Sequence, residues 1–464
     1  MRPLIAICSV TALTAAAAAQ GPVAIYSNVA GQANAGVPGV AGLQFSSFDR
    51  PVRSPDGSRW MLLARNNSGS TATDAMYLTG SGTAGVLRIR EGITDLEAGR
   101  VAENMSERRV GILNDGRYAV TVNLTGATTD DSVAILGDGT GAHTISFREG
   151  QSIPALPGIT WGTGITDPSL TTAGKIAVRA TSLVGGTAAT DSAYLRDDGA
   201  GSIARKGLTA PAGQAGAAQT ISSFNVGSLF VTPDGASTMY NAALNGPSAT
   251  NAVLVVNDTV RLQKGVAFGG FASPIANIIA QNMDSSGDWF ARGENADDQP
   301  WVVRNGIVIA RSGDPVPGGI TGETWSSVPW NVNLGNTFGV HTGNNLGDFI
   351  VGGFTSNPDA ARQYALVLNN STVVLREGDA VDLNGDGLFN DDAFYDVTGL
   401  NAASLNNKVS NFVLTDDLWL YGSIDLRNSA GAAIGEAFVR IQVPAPAATA
   451  IITLAGLAAL RRRR

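Results

Sequence analysis

The sequence predicts an all-β chain built by repetition. Three observations predict it: a turn-and-strand unit that recurs along the body, a second marker in phase with the first, and a composition suited to short strands. The turn recurs as SPDGSRWMLLA at Gly57, LNDGRYAVTV at Gly116, TTAGKIAVRA at Gly174, TPDGASTMYNA at Gly235, DSSGDWFARG at Gly287 and NNLGDFIVGG at Gly347. A seventh copy, TDDLWLYGSI, has Asp417 at the glycine position. Successive spacings are 59, 58, 61, 52, 60 and 70 residues, which makes seven units. The second marker ends a unit with a strand that runs into a charged step and a glycine. It reads RIREG at Gly92, SFREG at Gly150, IARKG at Gly207, RLQKG at Gly265, IARSG at Gly313 and VLREG at Gly378. With 57 Gly, 44% hydrophobic and only 15% charged residues, the chain can bury a core, and it favours short strands over helices.

Each unit reads as four short strands. One precedes the turn (residues 111–113 or 229–232) and one follows it (118–122 or 176–180). A third lies near 76–78 or 192–195, and the fourth runs into the charged step at 86–90 or 144–148. The D-G turns supply the positive φ that tight hairpins need. Four antiparallel strands repeated seven times is the pattern of a β-propeller, whose ring must close because a single blade leaves both faces unburied. The last unit lacks a fourth strand, while VAIYSNVAGQANAGVPG near the N-terminus copies the end of a unit. Residues 23–27 are therefore expected to pair with the C-terminal strands and complete blade seven. Two β-sandwich domains or an open β-solenoid are the alternative folds.

The ends divide the chain into a leader (1–19), a seven-repeat body (20–442) and a tail (443–464). Arg2, the apolar run 4–13 and a small-residue step with Ala17 and Ala19 read as a signal peptide cleaved before Gln20. In the tail, residues 447–460 are uninterruptedly apolar, about 21 Å as a helix at ~1.5 Å per residue and short of a ~30 Å hydrocarbon core. Arg461, Arg462, Arg463 and Arg464 follow and would stay cytoplasmic. The proline-flanked entry at Pro444 and Pro446, the short apolar helix and the arginine cluster resemble the PEP-CTERM sorting signal, with Ala445 where that signal has glutamate. The resemblance implies export, an exosortase-like processing enzyme as partner, and delivery to the cell surface or extracellular matrix. A simple membrane anchor is the alternative. The body resembles bacterial choice-of-anchor tandem repeats of the form N-D-x-G-x-x-A-F, matched by Asn114, Asp115, Gly116 and Ala119. That resemblance implies surface display and no activity.

The formal net charge is −8. Setting Arg2 and the four terminal arginines aside from the 31 Lys and Arg leaves 26 against 39 acidic residues, a surface that repels phosphate backbones and argues against nucleic acid as a partner. The single cysteine, Cys8, lies in the leader, so the body has neither disulfides nor thiolate chemistry.

The best local motif is DLNGDGLFNDDAF at 382–394. Asp382, Asn384 and Asp386 stand at positions one, three and five of a Ca²⁺ loop, Gly387 at its sharp turn, with Leu388 and Asn390 as further ligands. Position twelve is Ala393, so Asp391 or Asp392 must substitute, and Asp392 completes the expected ligand set. Catalysis has little support: His143 and His341 are the only histidines, and no nucleophile elbow or zinc motif is present. Glu91, Glu149 and Glu377 recur at one repeat position, which points to a structural contact with the preceding arginine. Trp60, Trp289, Trp301 and Trp419 fall on repeat strands, whereas Trp161, Trp325 and Trp330 fall in loops and are candidates for stacking on carbohydrate. The expected function is a non-enzymatic surface scaffold that binds polysaccharide or protein, with a glycan-active hydrolase or lyase as the alternative. Carboxylates and an arginine converging on the channel would favour the enzyme. An apolar, Ser/Thr-lined channel would favour binding.

Overall fold

The computed structural model describes residues 21–105, 110–326, 337–397 and 412–444. The strands form seven antiparallel sheets arranged as a seven-bladed β-propeller. Four blades are simple four-stranded meanders. In blade 1, for example, Phe45–Arg53, Trp60–Asn66, Ala75–Ser81 and Ala84–Arg90 pair in sequence order. Blades 3 (164–205), 5 (275–311) and 6 (338–376) repeat the scheme. In blades 2, 4 and 7 the innermost strand is split. Arg100–Glu103 and Gly111–Ile112 both pair with Tyr118–Leu124, Ile221–Phe224 and Phe230–Val231 with Thr238–Leu244, and Phe394–Asp396 and Phe412–Leu414 with Trp419–Arg427.

The ring closes as the repeat requires. Val23–Ser27 pairs antiparallel with the last strand, Ala433–Gln442, with Val23 opposite Arg440 and Ser27 opposite Ala437. On its other side, Ala24 N–H donates to Asp382 O (2.9 Å) and Asp382 N–H to Pro22 O (3.0 Å). The closing strand is therefore stitched to the acidic segment that the sequence inserts after blade 6.

The recurring turn is closed by two backbone hydrogen bonds in all seven blades. In blade 5, Asp284 N–H donates to Asp288 O (3.0 Å) and Gly287 N–H to Asp284 O (3.2 Å). The same pair of bonds recurs at Leu113, Thr171, Asn344 and Thr415, and at Ser54 and Thr232 with the closing acceptor one residue further on, at Arg59 O and Ser237 O. Each requires a residue at positive φ, supplied by glycine in six blades. In blade 7 that residue is Leu418 (φ 62°). The sequence alignment on Asp417 is thus off by one.

The core lies between blades. One cluster joins Met61 and Tyr77 of blade 1 to Tyr118 and Val120 of blade 2. Another joins Tyr194 of blade 3 to Tyr240 and Val253 of blade 4. The closing interface is aromatic: Trp60 of blade 1 meets Phe438 of blade 7 edge-on at 5.0 Å, and Tyr26 lies 5.0 Å from Phe45. Because each buried Leu, Val or Phe contributes roughly 1.5–3 kcal/mol, and the clusters named here draw on neighbouring blades, stability is shared around the ring.

Candidate functional site

The innermost strands of all seven blades surround a central channel of about 440 Å³. Its ionisable lining is Arg50 and Arg53 from blade 1, Asp284 and Arg292 from blade 5, and His341 from blade 6. Amides from blades 4 and 5 (Asn225, Asn241, Gln281 and Asn282) and apolar groups such as Pro51, Ile112 and Phe230 complete the wall. One mouth is ringed by the recurring turns, where a shallower cleft shares Pro55, Pro233 and Ser285 with the channel.

Much of this polar lining holds neighbouring blades together. Arg53 donates through Nη1 to Ser54 O (3.2 Å) and to Pro55 O, and through Nη2 to Gly343 O of blade 6 (3.3 Å). It also lies 3.8 Å from Asp416 of blade 7. Burial lowers the pKa of Arg53, opposed by Asp416, Asp284 and Asp56. Arg292 donates to Phe338 O across the blade 5–6 interface, and burial lowers its pKa to about 10, so it stays charged at neutral pH. Asn241 Nδ2 donates to Gln281 Oε1 (2.6 Å), and Asn282 Nδ2 to His341 O (3.3 Å).

Asp284 is the one carboxylate among the described lining residues. Its Oδ1 accepts from the N–H groups of Ser286 (3.0 Å) and Asp288 (3.0 Å) and from the Ser286 hydroxyl (2.6 Å). Burial raises its pKa, partly offset by the Ser286 hydrogen bond and by Arg53. A glycosidase needs two carboxyl groups about 5–9.5 Å apart, and the described channel lining offers a single one.

The acidic loop places its residues differently from the expected ligand set. Asp382 is buried, and its two oxygens accept from Gly385 N–H (2.7 Å) and Gly387 N–H (2.9 Å). Asn384 Nδ2 donates to Asp386 Oδ2 (3.2 Å) and to Asp391 Oδ1 (2.9 Å), which gathers the three side chains on one side of the loop. Asp386 Oδ1 accepts from Leu388 N–H (2.8 Å). Asp391, not Asp392, turns into the loop. Asp392 Oδ1 accepts from Ser429 N–H (2.8 Å), in the loop between the last two strands of blade 7. The Asn390 side chain adds no hydrogen bond among those described. No group of three or more His, Cys, Asp or Glu suited to a metal occurs among the described residues.

Trp161 and Trp325 are not stacking platforms: they are 1% and 2% exposed. Trp161 stacks on Phe147 (4.2 Å, 15°) and Trp325 packs against Phe338 (5.3 Å). Both occupy one repeat position, where the chain enters the next blade. Gly150 N–H donates to Trp161 O and Gly313 N–H to Trp325 O, as Gly92 does to Ala102 O and Gly207 to Ile221 O. Trp330, Ala17, Ala19 and Pro446 lie outside the described residues, while Pro444 lies two residues beyond the last strand of blade 7. Of the recurring acids, Glu91 accepts from Ala75 N–H (3.3 Å) and Met105 N–H (3.3 Å), so its partners are backbone amides rather than Arg90. His143 lies on the outer strand of blade 2 against the Tyr118 hydroxyl (2.5 Å).

The chain matches no protein-family model and no curated protein. Among solved structures it is similar to a puromycin hydrolase mutant (TM-score 0.38, 11% identity, 83% of this chain), of which it spans 53% of the length. It is also similar to the GH93 α-L-arabinofuranosidase of Fusarium graminearum (TM-score 0.31, 11% identity, 91% of this chain and 97% of that one). A third likeness is to the α-L-arabinanase of Penicillium chrysogenum (TM-score 0.29, 12% identity, 91% and 98%). At these scores the likenesses carry no argument about activity.

Proposed function

We propose that the protein is an exported, non-enzymatic scaffold of the cell surface or extracellular matrix, whose propeller binds polysaccharide. The observation that supports this reading is the channel: its described lining holds one carboxylate, half of which caps a turn, and its arginines tie blades together. The leader, the arginine-terminated tail and its exosortase-like processing enzyme belong to the same proposal, as does Ca²⁺ bound in the loop through Asp382, Asn384, Asp386 and Asp391. The test uses the mature body on a panel of polysaccharides, followed by pull-down for binding and reducing-end assay for cleavage. Saturable binding without new reducing ends is expected. Release of reducing ends that Asp284→Asn abolishes would replace the scaffold reading with a glycan-active enzyme.

A further inference from the structure

Where solvent reaches the wall of the central channel, that wall is apolar. Val226, between the two halves of the split strand of blade 4, is 75% exposed, and Ile279 of blade 5 is 36% exposed. Leu346 (71%) stands in the blade 6 turn at the ringed mouth. The charge of the lining has the opposite sign to that of the body. Arg50, Arg53 and Arg292 share the lining with one carboxylate, Asp284, and Asp416 offsets part of Arg53 (3.8 Å). The body as a whole carries 26 basic against 39 acidic residues. A cleft of one sign with low-dielectric walls focuses its field on whatever enters it. An occupant that suits this channel is apolar at its tip and acidic around it.

The chain carries such a segment. The acidic loop 382–394 has four aspartates and no lysine or arginine. Leu388 (57% exposed) and Phe389 (42%) stand at its tip, the one pair of large exposed apolar residues adjacent in sequence among the described residues. Contiguous exposed apolar groups mark interaction surfaces. The tip is already ordered: Gly387 N–H donates to Asp382 Oδ2 (2.9 Å), Leu388 N–H to Asp386 Oδ1 (2.8 Å) and Leu383 N–H to Asp391 Oδ2 (2.7 Å). Little entropy is left to lose on docking. The loop cannot reach the channel of its own ring. Asp382 is bonded to the outermost strand of blade 7 through Pro22 O and Ala24 N–H, whereas the channel is walled by innermost strands. Three strand spacings of about 4.8 Å put roughly 14 Å of sheet between the two.

We infer that the loop inserts its Leu388–Phe389 tip into the channel of a second copy of this chain. The two surfaces differ, so the contact is heterologous. Each pair keeps one free loop and one free channel, and the assembly extends into chains. The channel volume of about 440 Å³, inside the ~300–1,000 Å³ range of ligand pockets, admits a loop tip but not a folded element. The inference does not depend on polysaccharide binding. The test is sedimentation-velocity centrifugation of the mature body over rising concentration, with Val226→Glu in the channel and Leu388→Arg in the loop, each alone and then mixed. Thermal unfolding reports folding, and Ile279→Glu repeats the channel block should Val226→Glu not fold. The wild type is expected to form oligomers that grow with concentration. Each variant alone is expected to associate at least tenfold more weakly. Their equimolar mixture is expected to form one-to-one dimers, because the intact loop of one meets the intact channel of the other. A wild type that stays monomeric would overturn the inference, as would self-association that neither folded variant weakens. Two inert variants whose mixture also stays monomeric would exclude a loop-in-channel contact.

Discussion

Removing the packing of the closing strand tests whether the seven blades are one cooperative ring. Val23–Ser27 meets two interfaces at once. Ala24 belongs to the cluster between blades 6 and 7, whereas Ile25 and Tyr26 belong to the cluster between blades 7 and 1. Tyr26 is 8% exposed, packed 5.0 Å from Phe45 and 6.3 Å from Trp60. Truncating a buried aromatic to alanine costs about 3–5 kcal/mol, and a buried isoleucine about 2–5. Because Ile25 and Tyr26 share one cluster, their effects do not add in full, so about 5–6 kcal/mol is expected for Ile25→Ala with Tyr26→Ala. That approaches the whole stability of many domains, about 5–15 kcal/mol. Urea unfolding followed by tryptophan fluorescence gives the free energy, and amide exchange gives its distribution. The expected outcome is a single transition at much lower urea, with exchange accelerated in Trp60–Asn66 of blade 1 as well as in Ala433–Gln442 of blade 7. A loss below about 1 kcal/mol, or faster exchange confined to blade 7, would refute closure by this strand as the basis of stability.

The remaining predictions follow from single sites. Gly57→Ala is expected to cost more than Gly174→Ala, although both residues have positive φ (81° and 74°). A Cβ on Gly57 would come within 2.3 Å of Thr415 Cβ and 2.7 Å of its Cα in blade 7, whereas one on Gly174 meets only the mobile end of Arg117 (2.9 Å). Equal urea midpoints for the two variants would contradict the tight blade 7–1 junction. Glu377 is pushed up to about 7 by burial, offset in part by Arg427, with Asp396 adding to the rise. Its folded pKa exceeds its unfolded one, so the folded state holds the proton more tightly. Its contribution to stability is full below the unfolded pKa and is lost as pH rises toward about 7, at no more than about 1.4 kcal/mol per pH unit. Glu377→Gln should flatten that part of the stability–pH curve, and an unchanged slope in urea titrations would speak against it. Ca²⁺ at about a hundred times its dissociation constant should stabilise the mature body by about 2.7 kcal/mol, and Asp386→Ala should abolish the shift in scanning calorimetry. A wild-type transition unmoved between millimolar Ca²⁺ and chelator would remove the loop as a calcium site.

How much of this was legible in the sequence depends on whether the constraint is local. The D-G turns were readable because a four-residue stretch must carry both a positive φ and two backbone hydrogen bonds, and few residues satisfy that. Asp417 was misplaced for the same reason: without a glycine to mark the position, nothing local distinguishes it from Leu418, which takes the positive φ (62°). The R-E-G step was readable as a beat but not as a contact, since the partners of Glu91 lie about fourteen to sixteen residues away on backbone amides that no side-chain pattern announces. Trp161 and Trp325 looked like loop aromatics because their repeat position is held by Ala102 and Ile221 in other blades. That position demands an apolar side chain of no fixed size, so it leaves no motif.

The channel was the least legible part, and its geometry says why. Each blade contributes a few residues from its innermost strand, and the strands come together only when the ring closes. Arg53, Asp284, Arg292 and His341 come from three blades, at places in the repeat where the other copies carry different side chains. Repetition is conserved where blades must resemble one another, at turns and interfaces, and it is released where all seven face a common axis. A site in such a fold is therefore expected at the positions that break the repeat. Asp284 shows the distinction within a single residue: its Oδ1 performs the turn-capping role that the side-chain oxygens of Ser54, Thr232, Asn344 and Thr415 perform at the same position, while in this blade alone that position carries a carboxylate at the channel wall.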